Sequence, residues 1–399
     1  MSKLNKILII SNFIPVKGIT NAGSYHVADS IEELTKAGFK VYLWTNYFSS
    51  DVAMLHQISQ SVERIYLNYS TDNSRFFNLV KFLLSVFNPI LIYWKPGDWA
   101  RKKEILEIVK TNNIELINMQ WSAMVRFSRY IRRRNKNLKI VTFMHDLDVE
   151  YLLRRLPNHW MIRKLGYYYF KRIDQYVVNK SDIVMVPSKK DGDNLFRIVK
   201  ASDRKKINIV HFNIELFFDL EPPIGKKVVG FFGNMARPEN YLAVEWFLNN
   251  VWNEGFGEGR RFLIAGGGLP ESIARYIDAI KGVEYMGFVE DLKSFIIKCD
   301  LFVAPLEIGG GVKFKVLQAL SAGRIVLGSH IAYEGIDLLN EIPKCETPEE
   351  YNKILNLIDN NSNYANKLAN AGIMMARKYI EDTESMSEFL VKIFLCKSI

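Results

Sequence analysis

Cysteine is scarce in this chain of 399 residues: Cys299, Cys345 and Cys396 are odd in number and widely spaced. They form neither a metal pattern nor a disulfide framework, which points to a reducing cytosol. Long apolar runs are missing too. The most hydrophobic stretch, Leu79 to Trp94, contains Lys81, Asn88 and Pro89 and is shorter than the roughly 20 residues of a spanning helix. No transmembrane segment is expected. The opening Met1-Ser2-Lys3-Leu4-Asn5-Lys6 leads straight into a strand-like run, without the apolar core and cleavage site of a signal peptide. There is no repeat of roughly 20–50 residues, and no zinc or RNA-binding signature.

What remains is an ordinary globular composition, 48% hydrophobic and 24% charged, in a chain long enough for two domains of roughly 200 residues. The net charge of +10 is unevenly placed, with 34 Lys and Arg against 20 Asp and Glu in residues 1–220 and 19 against 23 in the rest. The first half thus attracts something anionic: a nucleic acid, a nucleotide-lipid substrate or a membrane surface.

Short β-rich runs alternate with helical ones. Lys6–Ser11, Phe39–Thr45, Ile114–Met119, Lys139–Met144 and Asp182–Pro187 read as buried parallel strands, with a helix over Ser24–Ala37. After the break Glu221-Pro222-Pro223-Ile224-Gly225 the alternation restarts. Strands are expected at Lys227–Phe232, Arg261–Ala265, Val283–Met286, Leu301–Pro305 and Ile325–Gly328, with helices including Tyr241–Val251 and Phe314–Ser321. The expected fold is α/β, two doubly wound parallel sheets facing across a cleft. The domains run over 1–220 and 221–380, with a helix in 381–399 crossing back to the first lobe.

Doubly wound sheets bind ligands beyond the carboxyl ends of their strands. Gly309-Gly310-Gly311-Val312-Lys313-Phe314-Lys315 occupies such a position, between a strand and a helix. Glycines let the backbone approach a ligand, the helix start offers N–H groups to an anion, and two lysines add cations. That combination suits a pyrophosphate; alone, it equally suits a flexible turn before a surface helix. Gly233, Asn234 and Arg237 follow the Lys227–Phe232 strand, and Ile264–Pro270 (IAGGGLP) is a third glycine-rich strand end. In the first half, Arg126–Lys139 carries seven basic residues, Arg132, Arg133 and Arg134 among them, and no acid. Arg154–Arg172 carries six, including Arg154, Arg155 and Lys164, interleaved with Trp160, Tyr167, Tyr168 and Tyr169. Arg75–Trp99 adds Phe76, Phe77, Phe82, Phe87 and Trp94. Basic helices with aromatics suit an anionic membrane surface, or a solvated face over an aromatic core.

The ordered series FFGNM, PEN, FLIAGGG, GVEYMGFVEDL, CDLFVAPLEIGGGVKFKVLQALSAG and IVLGS…EGI, over roughly residues 227–336, resembles the donor-binding lobe of the retaining glycosyltransferases of family 4, which have the GT-B fold. Ser11–Pro15 with Gly18, Ala22, Gly23 and Ser24 resembles that family's first-strand loop, and His145-Asp146 its central His. The resemblance implies transfer of a sugar from a UDP- or GDP-sugar, with retention, to a saccharide or polyprenyl-diphosphate-linked acceptor in surface polysaccharide synthesis. It implies Arg237 and Lys315 on the diphosphate, His145 and Asp146 at the reacting sugar or acceptor, with Asp148 and Glu150 beside them. Gly23, Ser24, Gly233, Asn234, Glu307, Gly309, Gly310, Gly311, Val312, Lys313, Gln318 and Glu334 fall around the donor. The family's loop-and-helix pair of glutamates is here Gly310 and Gln318, so backbone amides and a neutral amide stand in for carboxylates. No metal or other cofactor is expected, nor a nucleic-acid partner; the protein is placed in the cytoplasm, on the inner face of the plasma membrane. A sugar-nucleotide epimerase or a non-catalytic GT-B partner are the rival readings.

Overall fold

Continuous apolar runs need cover on both faces, and this chain supplies it twice. The computed structural model describes residues 5–17, 22–70, 80–81, 83–154, 156–221, 227–337 and 339–395. Gly18, Arg75–Leu79, Phe82, Arg155, the 222–226 break and Cys396 lie outside the described residues. The chain divides into two units, Met1–Asn213 with Glu384–Ile399, and Ile214–Thr383.

The first unit holds a seven-stranded sheet in the order β3-β2-β1-β4-β5-β6-β7. Its strands are β1 (Lys6–Ser11), β2 (Lys40–Tyr47), β3 (Arg64–Tyr69), β4 (Leu116–Gln120), β5 (Lys139–Phe143), β6 (Ile183–Val186) and β7 (Ile207–Ile209). Every pairing is parallel. Central β1 is fully buried over Ile7–Ile10, as a strand covered on both faces must be. The helices used below are α1 (Ala22–Lys36), α2 (Asp98–Thr111), α3 (Ser128–Arg134), α4 (Asp148–Leu153), α5 (Trp160–Lys180) and α6 (Lys189–Ile198).

Two of these strands have no counterpart in the sequence reading. Edge strand β3 leaves Ile65, Leu67 and Tyr69 exposed, so it lacks the apolar run that marks its neighbours. Strand β7 is three residues long.

The second unit holds five parallel strands in the order β10-β9-β8-β11-β12: β8 (Val228–Phe232), β9 (Arg261–Ala265), β10 (Val283–Gly287), β11 (Leu301–Ala304) and β12 (Ile325–Gly328). Around them lie α7 (Pro238–Phe247), α8 (Glu271–Asp278), α9 (Leu292–Lys298), α10 (Phe314–Ser321), α11 (Pro348–Asn360) and α12 (Ser362–Glu381). Helix α7 starts at its proline, three residues earlier than the apolar spacing suggests, because proline is already set for the first helical position. The last helix, α13 (Met386–Leu395), lies in the first unit. The Phe394 ring meets Phe39 edge-on, and Gln120 Nε2 donates to Met386 Sδ at 3.2 Å. Among the described residues, no helix is long and apolar enough to cross a membrane.

The stretch Ala265–Gly268 is a close backbone approach. Gly233 N donates to Ala265 O at 3.1 Å and Met235 N to Gly267 O at 3.0 Å. A Cβ on Gly266, at φ +132°, would sit 1.7 Å from Gly233 O; on Gly267 its nearest neighbour would be 3.8 Å away. Gly266→Ala is therefore expected to lower stability by about 2–3 kcal/mol or more in urea unfolding. Gly267→Ala, as the control, is expected to change it by less than about 1 kcal/mol.

Candidate active site

A doubly wound sheet opens where its strand order reverses, since the chains following the two adjacent strands leave on opposite faces. In the second unit this point lies between β8 and β11. The segments beyond them are Gly233–Arg237 and the glycine-lysine loop before α10.

In that loop Gly309 (φ +126°) and Gly311 (φ +66°) take left-handed conformations that a side chain would resist. The Lys313 ammonium turns back on the loop, donating to Gly310 O at 3.0 Å and Gly311 O at 2.6 Å, and lies 3.6 Å from the Glu334 carboxylate. Lys313 and Glu334 thus shape the loop. Lys315, in the first turn of α10, does something different. Its Nζ donates to Asn240 Oδ1 at 2.6 Å and lies over the Phe231 ring, 4.2 Å from the centroid. The residue as a whole is part-buried, and its ammonium is the enclosed end. Burial, with Lys313 and Arg237 adding repulsion, brings its pKa down to about 7, while Glu239 acts the other way. A cation held by one neutral oxygen and a ring face has no ion pair of its own among the described residues and is short of counter-charge.

Asn240 links the two loops, because its Nδ2 also donates to Asn234 O at 2.8 Å. Arg237 caps α7, half-exposed and ion-paired with Glu239. Gly233, Asn234, Arg237, Gly309, Gly310, Gly311, Lys313, Lys315 and Glu334 are therefore gathered at one strand-order reversal. Val312 packs against the unit's core, Gln318 is part-buried one turn beyond Lys315 on α10, and Glu307 is exposed on the approach to the loop. Asn240 and Phe231 escaped the sequence reading; their signal is the contact across the sheet, which spacing does not carry.

In the first unit the reversal lies between β1 and β4. His145, just past β5, is buried, with its ring stacked on Trp121 at 4.0 Å and 9°. Gln120 Nε2 donates to Asn118 Oδ1 at 3.1 Å and to Met386 Sδ, so its oxygen is free to accept from His145 Nε2 at 2.9 Å. That network assigns the proton to Nε2 and leaves Nδ1 as an acceptor. Burial, reinforced by His26, holds the imidazole pKa well below the usual histidine range, so the ring is neutral at physiological pH. Gly23 lies against it: a Cβ there would come 3.0 Å from His145 Nδ1 and 2.6 Å from Trp121 Cζ2. Ser24 Oγ is buried in the first turn of α1 without a hydrogen-bond partner among the described residues. Trp121, absent from the sequence reading, adopts φ +70°, ψ 142°, a conformation costly for a bulky residue.

Asp146 is half-buried beside His145. Asp148 and Glu150, expected beside them, are engaged elsewhere. Asp148 is buried and accepts from Tyr93, while the Asp174 carboxylate takes the Asp148 and Val149 N–H groups at 3.0 Å each. Burial raises both aspartates above the usual carboxylate range. Glu150 holds Lys190 at 3.0 Å and Asn194 at 2.5 Å. The basic face divides as well. Arg132 is paired to Asp182 at 2.6 Å, Arg134 lies over Tyr130, and Arg154 lies 3.4 Å from Glu150. Arg133, Trp160 and Lys164 are exposed.

Residues 226–360 match the family model described as glycosyl transferases group 1. With two parallel-sheet units of GT-B architecture, the chain is an enzyme of the glycosyltransferase class. An uncharacterized 44.6 kDa protein in the cps region of Klebsiella pneumoniae is 24% identical over 352 residues, covering 83% of this chain and 84% of that protein. Among solved structures, sucrose-phosphate synthase from Thermosynechococcus elongatus is similar at TM-score 0.69 and 14% identity, covering 98% of this chain and 100% of that one. Anabaena HepE in complex with UDP is similar at TM-score 0.64 and 10% identity over 98% of each chain. S. aureus TarM, solved with fondaparinux, alpha-GlcNAc-glycerol and UDP, is similar at 0.64 and 12% identity, covering 98% of this chain and 99% of that one.

The depressed Lys315 has a consequence for stability. Between its folded pKa of about 7 and its ordinary 10.5, the unfolded chain binds a proton that the folded chain has shed. This residue's contribution therefore becomes less favourable as pH falls through that window, and the cost is complete below about 7. Lys315→Met is expected to raise the melting temperature at pH 7. The gain over wild type should narrow as melts are repeated toward pH 10.

Proposed function

We propose that the chain transfers a sugar from a nucleoside-diphosphate donor, a UDP-sugar first, to a saccharide or lipid-linked acceptor, with retention, in the synthesis of a surface polysaccharide or glycoconjugate. The observation that carries this reading is the enclosed Lys315 ammonium, set short of counter-charge at a strand-order reversal beside the glycine loop and Arg237. A diphosphate supplies the missing charge. UDP is favoured over GDP because HepE and TarM were solved with UDP, and a saccharide pathway because the Klebsiella relative is described by its cps region.

In this reading the bond from the sugar's anomeric carbon to the β-phosphate oxygen breaks as the acceptor oxygen bonds to that carbon. The acceptor's proton leaves with the departing phosphate. Lys315, Arg237 and the N–H groups of the Gly309–Gly311 loop stabilise the charge growing on the phosphate, the task a metal would otherwise perform. Gln318 offers its amide to the ribose hydroxyls, and Glu334 keeps the loop in shape through Lys313. His145, neutral and with Nδ1 as acceptor, holds a sugar hydroxyl; a ring this far below neutrality orients better than it deprotonates.

UDP binding followed by calorimetry tests the reading. Phosphate binding draws a proton onto Lys315, so affinity is expected to fall as pH rises above 7, by at most roughly tenfold per unit. Lys315→Ala should bind about 10- to 100-fold more weakly, with the pH slope reduced, and Gln318→Glu should bind as well as wild type or better. Nucleotide release from UDP- and GDP-sugars then identifies the donor. No binding of either nucleotide at any pH sinks the proposal, and interconversion of donors without acceptor replaces it with epimerase chemistry.

We also propose peripheral attachment to an anionic membrane. Helix α5 exposes Trp160 and Leu165 to 70% and 71%, and beside it Phe87 is 86% exposed. Arg172 joins the two segments by donating to Val86 O at 2.9 Å, with Lys164 and Lys171 on the same helix. Apolar side chains among cations suit the interface of an anionic bilayer. Co-sedimentation with phosphatidylglycerol vesicles is expected for wild type and lost in the Trp160→Glu, Leu165→Glu double variant. Equal binding of both disproves this surface.

A further inference from the structure

A second group of cations in the first unit is used by none of the chemistry above. Arg126 sits in the turn after β4 and Arg101 on α2, and both pair with one carboxylate, Asp98, at 2.9 and 3.0 Å. All three side chains are largely buried, with exposures of 4%, 14% and 5%. Arg126 Nη1 donates to Ala123 O at 2.7 Å, but Nη2 is buried without a hydrogen-bond partner among the described residues. Lys95 lies against the same pair. Its backbone N–H donates to Asp98 Oδ2 at 2.9 Å, and its ammonium donates to Ser70 Oγ at 2.6 Å, 5.1 Å above the Phe48 ring. Lys81, part-buried, feels the charge of Arg126 as well. Burial first, then repulsion from Arg126, holds Lys81 and Lys95 below the ordinary lysine range; Arg101 adds to the repulsion at Lys95, while Asp98 opposes it there.

Three cations thus gather at Asp98, one carboxylate among the described residues. Asp98 accounts for the arginines as structural ties, since Arg126 anchors the β4 turn to α2 and Arg101 reaches Asn68 on β3 at 2.8 Å. It does not account for Lys95. Crowded, partly buried like charges are unfavourable unless an anion completes them.

Their place in the sheet narrows the choice of anion. Ser70 follows β3, Phe48 follows β2, Phe13 follows β1 and Trp121 follows β4, so all stand at the carboxyl edge of one sheet. Their rings run in contact from Phe48 to Phe13 at 6.2 Å, Phe13 to Trp121 at 5.1 Å and Trp121 to His145 at 4.0 Å. The cluster therefore shares an edge with His145.

We propose that Lys95, Arg101 and Arg126 bind the phosphate or diphosphate of an acidic acceptor, making phosphate recognition part of acceptor choice. This rests on the glycosyltransferase reading. A phosphate ester fits better than a uronic acid: the cluster keeps two charges beyond the one Asp98 neutralises, and one carboxylate would answer only one of them. A phosphate also takes up donors from several directions, the orphaned Arg126 nitrogen among them.

The test uses the full chain with inorganic pyrophosphate as probe, titrated calorimetrically under saturating UDP so that the donor loop is filled. One pyrophosphate is expected to bind per chain. Lys95→Ala should weaken it about 10- to 100-fold, and Lys95→Arg should recover most of the loss. Repeating the titration on Lys315→Ala without UDP keeps the result readable if the donor assignment is wrong, since failure of that assignment appears as absent UDP binding. No pyrophosphate bound in either format, or affinity unchanged in Lys95→Ala, overturns the proposal. Acceptor kinetics then identify the source, comparing a sugar 1-phosphate in solution with a polyprenyl-diphosphate sugar in phosphatidylcholine vesicles. Lys95→Ala should raise KM selectively for the phosphate-bearing acceptor that is the true one. An equal rise for a neutral alkyl glycoside overturns phosphate recognition.

Discussion

In each sheet the strand order reverses once, between β1 and β4 and between β8 and β11, and the connections from those paired strands cannot cover the gap between their own carboxyl ends. Most of what is unusual in this chain follows from that uncovered edge. The left-handed glycines of residues 309–311, the enclosed Lys315, the backbone contact at Gly266 and the strained Trp121 all stand at or beside the two reversals. Elsewhere the sheets are closed by apolar helices.

The two reversals are electrostatically opposite in what they hold ready. In the second unit a cation is kept short of partners, so that an arriving anion gains more than it would from a solvated lysine. In the first unit a histidine is kept neutral and its tautomer is set by Gln120, so the group on offer is a lone pair. Keeping each group in the less solvated of its states costs folding energy, which apolar burial elsewhere in the sheets offsets. Lys313 shows how specific the arrangement is. Two residues from Lys315, with the same side chain, it spends its charge on two loop carbonyls and a glutamate.

Much of this was legible in the sequence. Ten of the twelve strands among the described residues were legible, nine as buried apolar runs and edge strand β10 by its place in the alternation; β3, an edge strand with one wet face, has no such run, and β7, three residues long, holds no pattern. The glycine-lysine loop was legible because three glycines, two lysines and a helix start follow one strand end together. The division of labour between Lys313 and Lys315 was not, since it depends on which way each side chain turns. Nor were Asn240 and Gln120, which act on residues brought near only by the sheet, Lys315 in one case and His145 and Met386 in the other. Asp148 and Glu150 were adjacent to His145 in sequence, yet the start of α4 carries them to Tyr93 and Lys190 instead.

The chain enters the second unit at Ile214 and leaves it at Thr383, returning to the first for α13. Gln120 is held by Met386, Asn213 by Ser387, and His211 pairs with Ser385. During synthesis, therefore, the second unit emerges whole while the first still lacks the helix that steadies the amide beneath His145. The ribosome must finish α13 before the Gln120 amide has its Met386 contact, so the glycine-lysine loop can be assembled in a nascent chain whose other reversal is still incomplete.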